Sequence, residues 1–382
     1  MAHNPSLSGS VSRIVPRREE PIRRRFGLVD WRPLLAALAL AAIGVVTIAS
    51  AASEWDGSYA RRQLVWVVLG TIALLVVLRF DYRRLVDQAP LFYGIGLALL
   101  VLVLFVGEVR GGAKSWLAIG PFGGQPSEAA KLATALMLAR YLSAVRQAHL
   151  DLRQLLGAGL IVAVPMVLIA LERDLGGAAM YVPMLAGAVL VAGVRWRVLV
   201  VAGLLGLVFA AGFWSFAMKP YQRARIVSFL SPDADPLGAG YQVRQSKIAV
   251  GSGQWAGRGY GEGTQSRLRF LPERHTDFIM AVLAEEWGFF GVATVLLLYA
   301  VYLSGAARIA SRSRDRAGIL IVVALVSTLA FHALYNASMV IGLLPITGIP
   351  MPFLSYGGSF TLMTFIATGF VINVDLRRYV NR

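Results

Sequence analysis

The chain is 382 residues long, 57% apolar, with 39 glycines, no cysteine and a formal net charge of +16. That composition excludes a soluble domain, disulfides and thiolate metal sites, because several nearly chargeless runs have the roughly twenty residues a helix needs to cross about 30 Å of hydrocarbon. The positive charge reads as a positive-inside excess in cytoplasmic loops rather than as a nucleic-acid surface.

Residues 1–32 form a basic arm (PRREEPIRRR within it) that lacks the apolar core and cleavage site of a signal peptide. It is expected to be disordered and to lie on the cytoplasmic side near anionic lipid. Hydropathy then predicts ten apolar segments, at about 33–52, 62–79, 89–106, 126–144, 154–171, 175–193, 197–216, 278–304, 317–342 and 351–374. The expected fold is an all-α polytopic membrane domain over 33–376, with a large extracytoplasmic loop, 217–277, between the seventh and eighth segments and a short tail at 377–382. An even number of spans puts both termini on one side. With that side inside, Lys and Arg crowd the arm, 79–84, 140–153, 195–197, 308–316 and the C-terminal end. Arg61, Arg62, Arg110, Lys114 and Arg173 fall on short outer loops. Short loops set orientation, so the loops with unusual chemistry face outward.

The outer loop GEVRGGAKSWLAIGPFGGQPSEAAK follows the third segment. Trp116 suits an interfacial anchor and Lys114 an anionic substrate. Pro126 opens the next helix, where Glu128 and Lys131 lie three apart on one face. They are either a structural ion pair or part of a site. The turn ERDLGG carries Asp174, which could cap a helix or join a site on the outer side. Arg223 and Arg225 could bind phosphate oxygens or lipid head groups. Arg244 and Lys247 fall on YQVRQSKIAV, read as an amphipathic segment along the interface. The Gly-rich run GSGQWAGRGYGEG does not match a phosphate loop in spacing or context. Asp277, preceded by Glu273, Arg274 and His275, places a carboxylate at the edge of a membrane helix, and such a residue is a functional candidate by default. Below it, Ala281, Ala284, Gly288 and Gly291 form a stripe of small residues, suited to close helix packing or to a groove for a long lipid. His332 and Asn336 read as buried polar glue. The segment NASMVIGLLPITGIPMPFLSYGGS breaks helical hydropathy at an outer boundary, where irregular backbone lines a cavity. No internal repeat, HExxH or Cys/His metal pattern is present.

Chemistry therefore points to an outward-facing site with one prominent carboxylate, several cations and a groove into the bilayer. The blocks QPSEAAKLA, YQRAR, DPLGAGYQVRQSKIAVGSG, GTQSRLRFLPERHTDFIMAVLAEEWG and GLLPITGIPMPFLSYGGS resemble the SEDS family of shape, elongation, division and sporulation proteins. The likeness covers nearly the whole chain beyond the arm, and QSKIA, GTQS and PERHTDF resemble its elongation branch more than its division branch. The resemblance implies a peptidoglycan glycosyltransferase that polymerises lipid II on the outer face of the bacterial cytoplasmic membrane. Asp277 falls on the family's essential aspartate and would act as general base. Lys114, Trp116, Arg223, Arg225, Lys247, Arg274 and His275 are the expected substrate contacts; Glu128, Lys131, Asp174 and Ser355 are expected to support the site. Arg173 replaces the proline of the family's PDLG-type turn. A divalent cation, Mg or Mn, could bridge carboxylate and pyrophosphate, although no dedicated metal cage is visible.

The expected partners are a class B penicillin-binding protein, which would supply the crosslinking this chain has no Ser-x-x-Lys arrangement to perform, and elongation proteins of the MreB, MreC and MreD type. Two rival readings exist. A lipid II flippase would spread substrate contacts through the bilayer midplane, whereas the polar residues here gather at the outer edge. A scaffold without catalysis would tolerate Asp277→Asn.

Overall fold

The computed structural model describes residues 27–52, 57–110, 112–119, 122–145, 147–212, 238–268 and 270–378, together with Phe229. Helices α1 (Arg32–Ala51), α2 (Ser58–Arg79), α3 (Tyr82–Asp87) and α4 (Ala89–Val106) lead into a small sheet of β1 (Glu108–Arg110), β2 (Ala113–Ile119) and β3 (Phe122–Gly124). The chain continues through α5 (Pro126–Ser143), α6 (Leu152–Leu171), α7 (Leu175–Ala179), α8 (Tyr181–Ala192) and α9 (Trp196–Gly212). It ends with α10 (Ala239–Ser252), α11 (Thr264–Arg267), α12 (Ile279–Arg312), α13 (Arg316–Val340) and α14 (Gly358–Arg377).

Each of the ten apolar segments falls on a helix, the sixth being shared by α7 and α8. Among the described residues, eight helical stretches are long and apolar enough to cross a membrane. The two others carry their reason in sequence: α5 contains Glu128, Lys131 and Arg140, and α9 is described over 17 residues. The chain is a polytopic helical membrane protein. It departs from all-α in the antiparallel sheet β1-β2-β3 of the loop before α5, with Glu108 opposite Trp116 and Leu117 opposite Gly124.

Burial sorts the helices into an inner and an outer layer. In α14, 78% of the membrane window is buried inside the protein, against 22% in α2, α4 and α6. So α14 and α13 form the centre and the others turn a face to lipid. Lipid tails are as apolar as leucine, so helix association depends on close packing and interhelical hydrogen bonds. Gly44 of α1 shows the first: a Cβ there would come within 2.7 Å of Leu354 Cα. Tyr302 of α12 and Thr368 of α14 show the second, their hydroxyls 3.1 Å apart. At the bundle end away from Asp277, arginines close exposed helix ends. Arg377 donates to Asn373, Leu78 O and Arg79 O, and Arg316 donates to Val145 O and Ala192 O.

The longest helix corrects one expectation. Thirty-four residues at 1.5 Å each would make α12 about 50 Å long, well over the hydrocarbon thickness. It is broken at Gly288, whose φ of 63° and ψ of −158° are not helical. The stripe of small residues from Ala281 to Gly291 therefore does not run down one continuous helix. The carbonyls and amides freed by the break bond to the loop after α10. Arg258 N donates to Glu285 O (3.0 Å) and Gly259 N to Glu286 O (3.0 Å), while Phe289 N donates to Gln254 O (2.8 Å) and Phe290 N to Trp255 O (3.2 Å). Helix α10 itself packs on α12 and α13 rather than lying free along a surface, and Ser246 Oγ donates to Val340 O at 2.7 Å.

Candidate active site

The site is built around a tight turn, 273–278, that delivers Asp277 to the start of α12. Glu273 adopts a left-handed φ of 50°, and its carbonyl accepts the N–H groups of Thr276, Asp277 and Phe278 at 3.1–3.3 Å. The side chains that fix this turn come from far away in the chain. Asn336 Nδ2 of α13 donates to Asp277 O and to Ile349 O, both at 2.8 Å. Ser355 Oγ donates to Thr276 O at 2.7 Å and accepts from Met351 N at 2.8 Å. Tyr356 N donates to His275 O at 2.9 Å. Gln63 Nε2 of α2 donates to Ser355 O and Thr361 Oγ1, while its Oε1 accepts from Gly357 N. The irregular backbone of 341–357, with its polar groups satisfied by these side chains, is what a cavity-lining segment at membrane depth requires. Asp277 is half-buried, and a Cβ on Gly348 would stand 3.5 Å from its Oδ2.

The Asp174 turn abuts the same segment: a Cβ on Gly176 would meet Thr347 O at 2.6 Å. Asp174 caps α7 through Oδ1, which accepts from Gly177 N at 2.7 Å. Its Oδ2 accepts from Gln125 Nε2 at 3.1 Å, and Gln125 N donates to Ser359 Oγ at 3.1 Å. Asp174 is thus a helix cap that stands against the segment facing Asp277. One turn into α5, Lys131 Nζ donates to Glu128 Oε1 at 2.8 Å. Both are buried, and Lys131 lies 5.8 Å from the Phe360 ring centroid. His332, whose Nδ1 lies 3.2 Å from Pro350 O, packs on the same ring at 5.0 Å.

Electrostatics add two details. Burial depresses the His275 pKa; Glu273 opposes this and Arg274 reinforces it, so the imidazole is neutral at pH 7. Its ring packs edge-on against Tyr59 (4.8 Å) and beside Tyr356 (5.7 Å). Glu172, beside Asp174, is 1% exposed with Oε1 unpartnered, and burial, then the Asp174 charge, pushes its carboxyl up to about 8.

Asp277, Ser355 and Asp174 are therefore gathered around 347–357, with Glu128 and Lys131 one layer below. The other expected contacts are placed differently. Lys114 Nζ donates to Leu104 O and Phe105 O, both at 2.9 Å, and so closes the C-terminus of α4. Trp116 is half-buried in β2. Arg274, in the turn that leads to Asp277, is buried at 6% exposure. Lys247 is exposed on α10, against Gly342. Arg223 and Arg225 lie outside the described residues. Sequence reading missed Gln63 and Gln125. A lone glutamine in the first turns of an apolar helix was the available signal for Gln63. Among the described residues no three His, Asp or Glu side chains come together to hold a metal. A Mg2+ ion held by one or two carboxylates, waters and substrate phosphates needs no such cluster.

The comparisons agree with this architecture. The family model for cell cycle proteins, FTSW_RODA_SPOVE, matches residues 31–380. The chain is 37% identical to the peptidoglycan glycosyltransferase MrdB of Escherichia coli K12, over 92% of this chain and 94% of that protein. It is 34% identical to the peptidoglycan glycosyltransferase RodA of Treponema pallidum, over 91% and 98%. It is 39% identical to stage V sporulation protein E of Bacillus subtilis, over 91% and 96%. A structure from work on the structural coordination of polymerization and crosslinking by a peptidoglycan synthase complex superposes with a TM-score of 0.81. It is 33% identical and covers 92% of this chain and 99% of its own. The rod shape determining protein RodA of Thermus thermophilus superposes with a TM-score of 0.69 at 30% identity, covering 92% and 98%. The chain belongs to the FtsW, RodA and SpoVE family of cell cycle proteins, the SEDS family that its motifs resemble.

Proposed function

We propose that this chain is a peptidoglycan glycosyltransferase of the elongation type, polymerising lipid II into β-1,4 glycan with Asp277 as general base. The observation that carries the reading is the placement of Asp277. It is a half-buried carboxylate at the end of the bundle, held by backbone bonds from Asn336 and Ser355 while its Oδ2 faces Gly348. Backbone bonds fix where the Asp277 carboxylate stands, as a general base needs. In the reaction, the acceptor sugar's 4-hydroxyl gives its proton to Asp277 and its oxygen attacks the donor's anomeric carbon. The bond to undecaprenyl pyrophosphate breaks, and the leaving group takes the electron pair. Attack opposite the leaving group turns an α-linked donor into a β-linked product. Pyrophosphate leaves readily, so stabilising its charge matters more than protonating it. Arg274, three residues before Asp277 in the same turn, is a candidate for this together with Arg223 and Arg225. Lys114 could turn to substrate only by giving up two helix carbonyls. Asp174, Gln125 and the Glu128–Lys131 pair brace the 347–359 wall from the other side.

In this reading the chain lies in the bacterial cytoplasmic membrane with both termini inside, ten spans and its site outside. A class B penicillin-binding protein is the crosslinking partner, and MreB, MreC and MreD-type proteins complete the elongation complex. The relatives' names and the synthase-complex neighbour support the polymerase and its transpeptidase partner. The test supplies fluorescent lipid II in micelles to wild type, Asp277→Ala and Asp277→Asn, each with the class B partner. Glycan ladders from wild type and none from either variant, all three folded, are expected. Ladders from a folded Asp277→Ala chain would remove the general base. No ladders from a folded wild-type complex would return weight to a flippase, to be tested in liposomes.

A further inference from the structure

We infer that the chain carries a second site, a pocket around Glu286 for a primary ammonium group borne by a membrane lipid. A cavity of about 410 Å3 opens between α1 and α12, walled by Ile43, Tyr260, Leu283, Glu286, Trp287 and Phe290. Glu286 is 2% exposed. Its Oε1 accepts a short hydrogen bond from Ser50, the Gly261 N–H faces the carboxylate, and Oε2 has no hydrogen-bond partner among the described residues. The nearby charge is Glu285, also acidic, itself bonded to Thr264 Oγ1 and Gln265 N. A buried carboxylate without a counter-ion is costly, and a cation in the cavity offsets that cost.

The walls select the kind of cation. Tyr260, Trp287 and Phe290 line the cavity, and aromatic rings attract an ammonium group. A hard divalent ion needs about six oxygens, and the described residues hold no cluster of three acidic or His side chains. A primary ammonium carries three N–H donors, able to use Glu286 Oε2 and the Tyr260 hydroxyl together. The surroundings select a lipid as its carrier. Trp255, Phe289 and Phe290 are 68%, 54% and 63% exposed and packed on one another at 5.1–6.3 Å, an apolar rim for acyl chains. The part of α12 beyond Gly288, residues 289–312, spans about 36 Å. The pocket therefore sits at head-group level, where aromatic rings gather. It is separate from the Asp277 site: Asp277 is held by α13 and faces Gly348, whereas Glu286 meets Ser50 of α1 and the loop at Gly261.

The test is native mass spectrometry of the full chain released from micelles doped equally with phosphatidylethanolamine, its N-acetylated form, phosphatidylcholine and phosphatidylglycerol. Wild type should retain phosphatidylethanolamine about tenfold over the other three. Glu286→Gln should lose that preference. Tyr260→Leu, a change at a residue 56% exposed, should weaken it several-fold without threatening the fold. Equal retention of the N-acetylated lipid or of phosphatidylcholine would overturn the proposal, as would unchanged selectivity in a Glu286→Gln chain with wild-type thermal stability. Displacement by an equal concentration of glycerophosphoethanolamine would overturn the assignment to a lipid and leave a soluble amine.

Discussion

Replacing Gly288 by alanine tests whether the break in α12 is built in or merely tolerated. Its φ of 63° and ψ of −158° lie in a region that side chains avoid, a strain of about 1–3 kcal/mol. A Cβ would also meet Gly257 N at 2.3 Å, Trp255 O at 2.7 Å and Ala256 N at 2.8 Å. These are backbone atoms that no rotamer change can move aside. Relieving the clash pushes the 253–259 loop off the helix and breaks its bonds to Glu285 O, Glu286 O, Phe289 N and Phe290 N. At about 1 kcal/mol per hydrogen bond, losing half of them brings the total to about 3–5 kcal/mol. Gly261→Ala is the control, because its φ of 75° is equally left-handed but a Cβ there meets nothing within 4 Å; it should cost about 1–2 kcal/mol. Thermal unfolding in micelles gives the global loss, and the rate of tryptic cleavage after Arg258 gives the local one. Equal losses in the two variants, with unchanged cleavage, would refute the reasoning.

Three further outcomes are expected. Glu172→Gln should stabilise the chain in a pH-dependent way. The folded carboxyl titrates near 8 against an ordinary 4.5, so the folded chain keeps a proton that the unfolded chain releases. The group's contribution is intact below pH 4.5 and lost progressively up to pH 8; the gain from glutamine is nil at pH 4 and about 3 kcal/mol at pH 7. A gain that is the same at both pH values in denaturant titrations would contradict this. Glu128→Leu or Lys131→Met singly should cost about 3–5 kcal/mol by leaving one buried charge unpaired, and the double variant should recover most of it; additive losses in the cycle would argue against the pair. Ser355→Ala removes the bonds to Thr276 O and Met351 N, at about 2–3 kcal/mol of stability. It should lower the polymerisation kcat about tenfold with KM unchanged, and a change confined to KM would assign Ser355 to substrate instead.

The apolar segments were legible because hydropathy acts on every residue of a span. The Glu128–Lys131 pair and the polar roles of His332 and Asn336 followed from helical spacing. The break at Gly288 was not legible: apolar residues flank it on both sides, and its cause lies in the loop that inserts some thirty residues earlier. The sheet before α5 is made of strands of three to seven residues, too short for alternation to declare itself among glycines. Lys114 shows the limit of reading a charge in a loop. Its ammonium group satisfies helix carbonyls that no sequence pattern brings near it. Asp277 and Ser355 were visible in the motifs, but Gln63, which bonds Ser355 O and Gly357 N from α2, declares itself only when those elements meet.

The bonds that hold the Asp277 turn also set when the enzyme can exist. Asn336, Ser355 and Tyr356 reach residues 275–277 from 59 to 81 positions later in the chain. During synthesis, α1 to α12 are inserted before any of these braces has been made. A nascent chain halted before Ser355 lacks the bonds that Ser355 and Tyr356 make to this turn. The C-terminal segment is thus the last of these parts to arrive, and with it come those bonds to the turn.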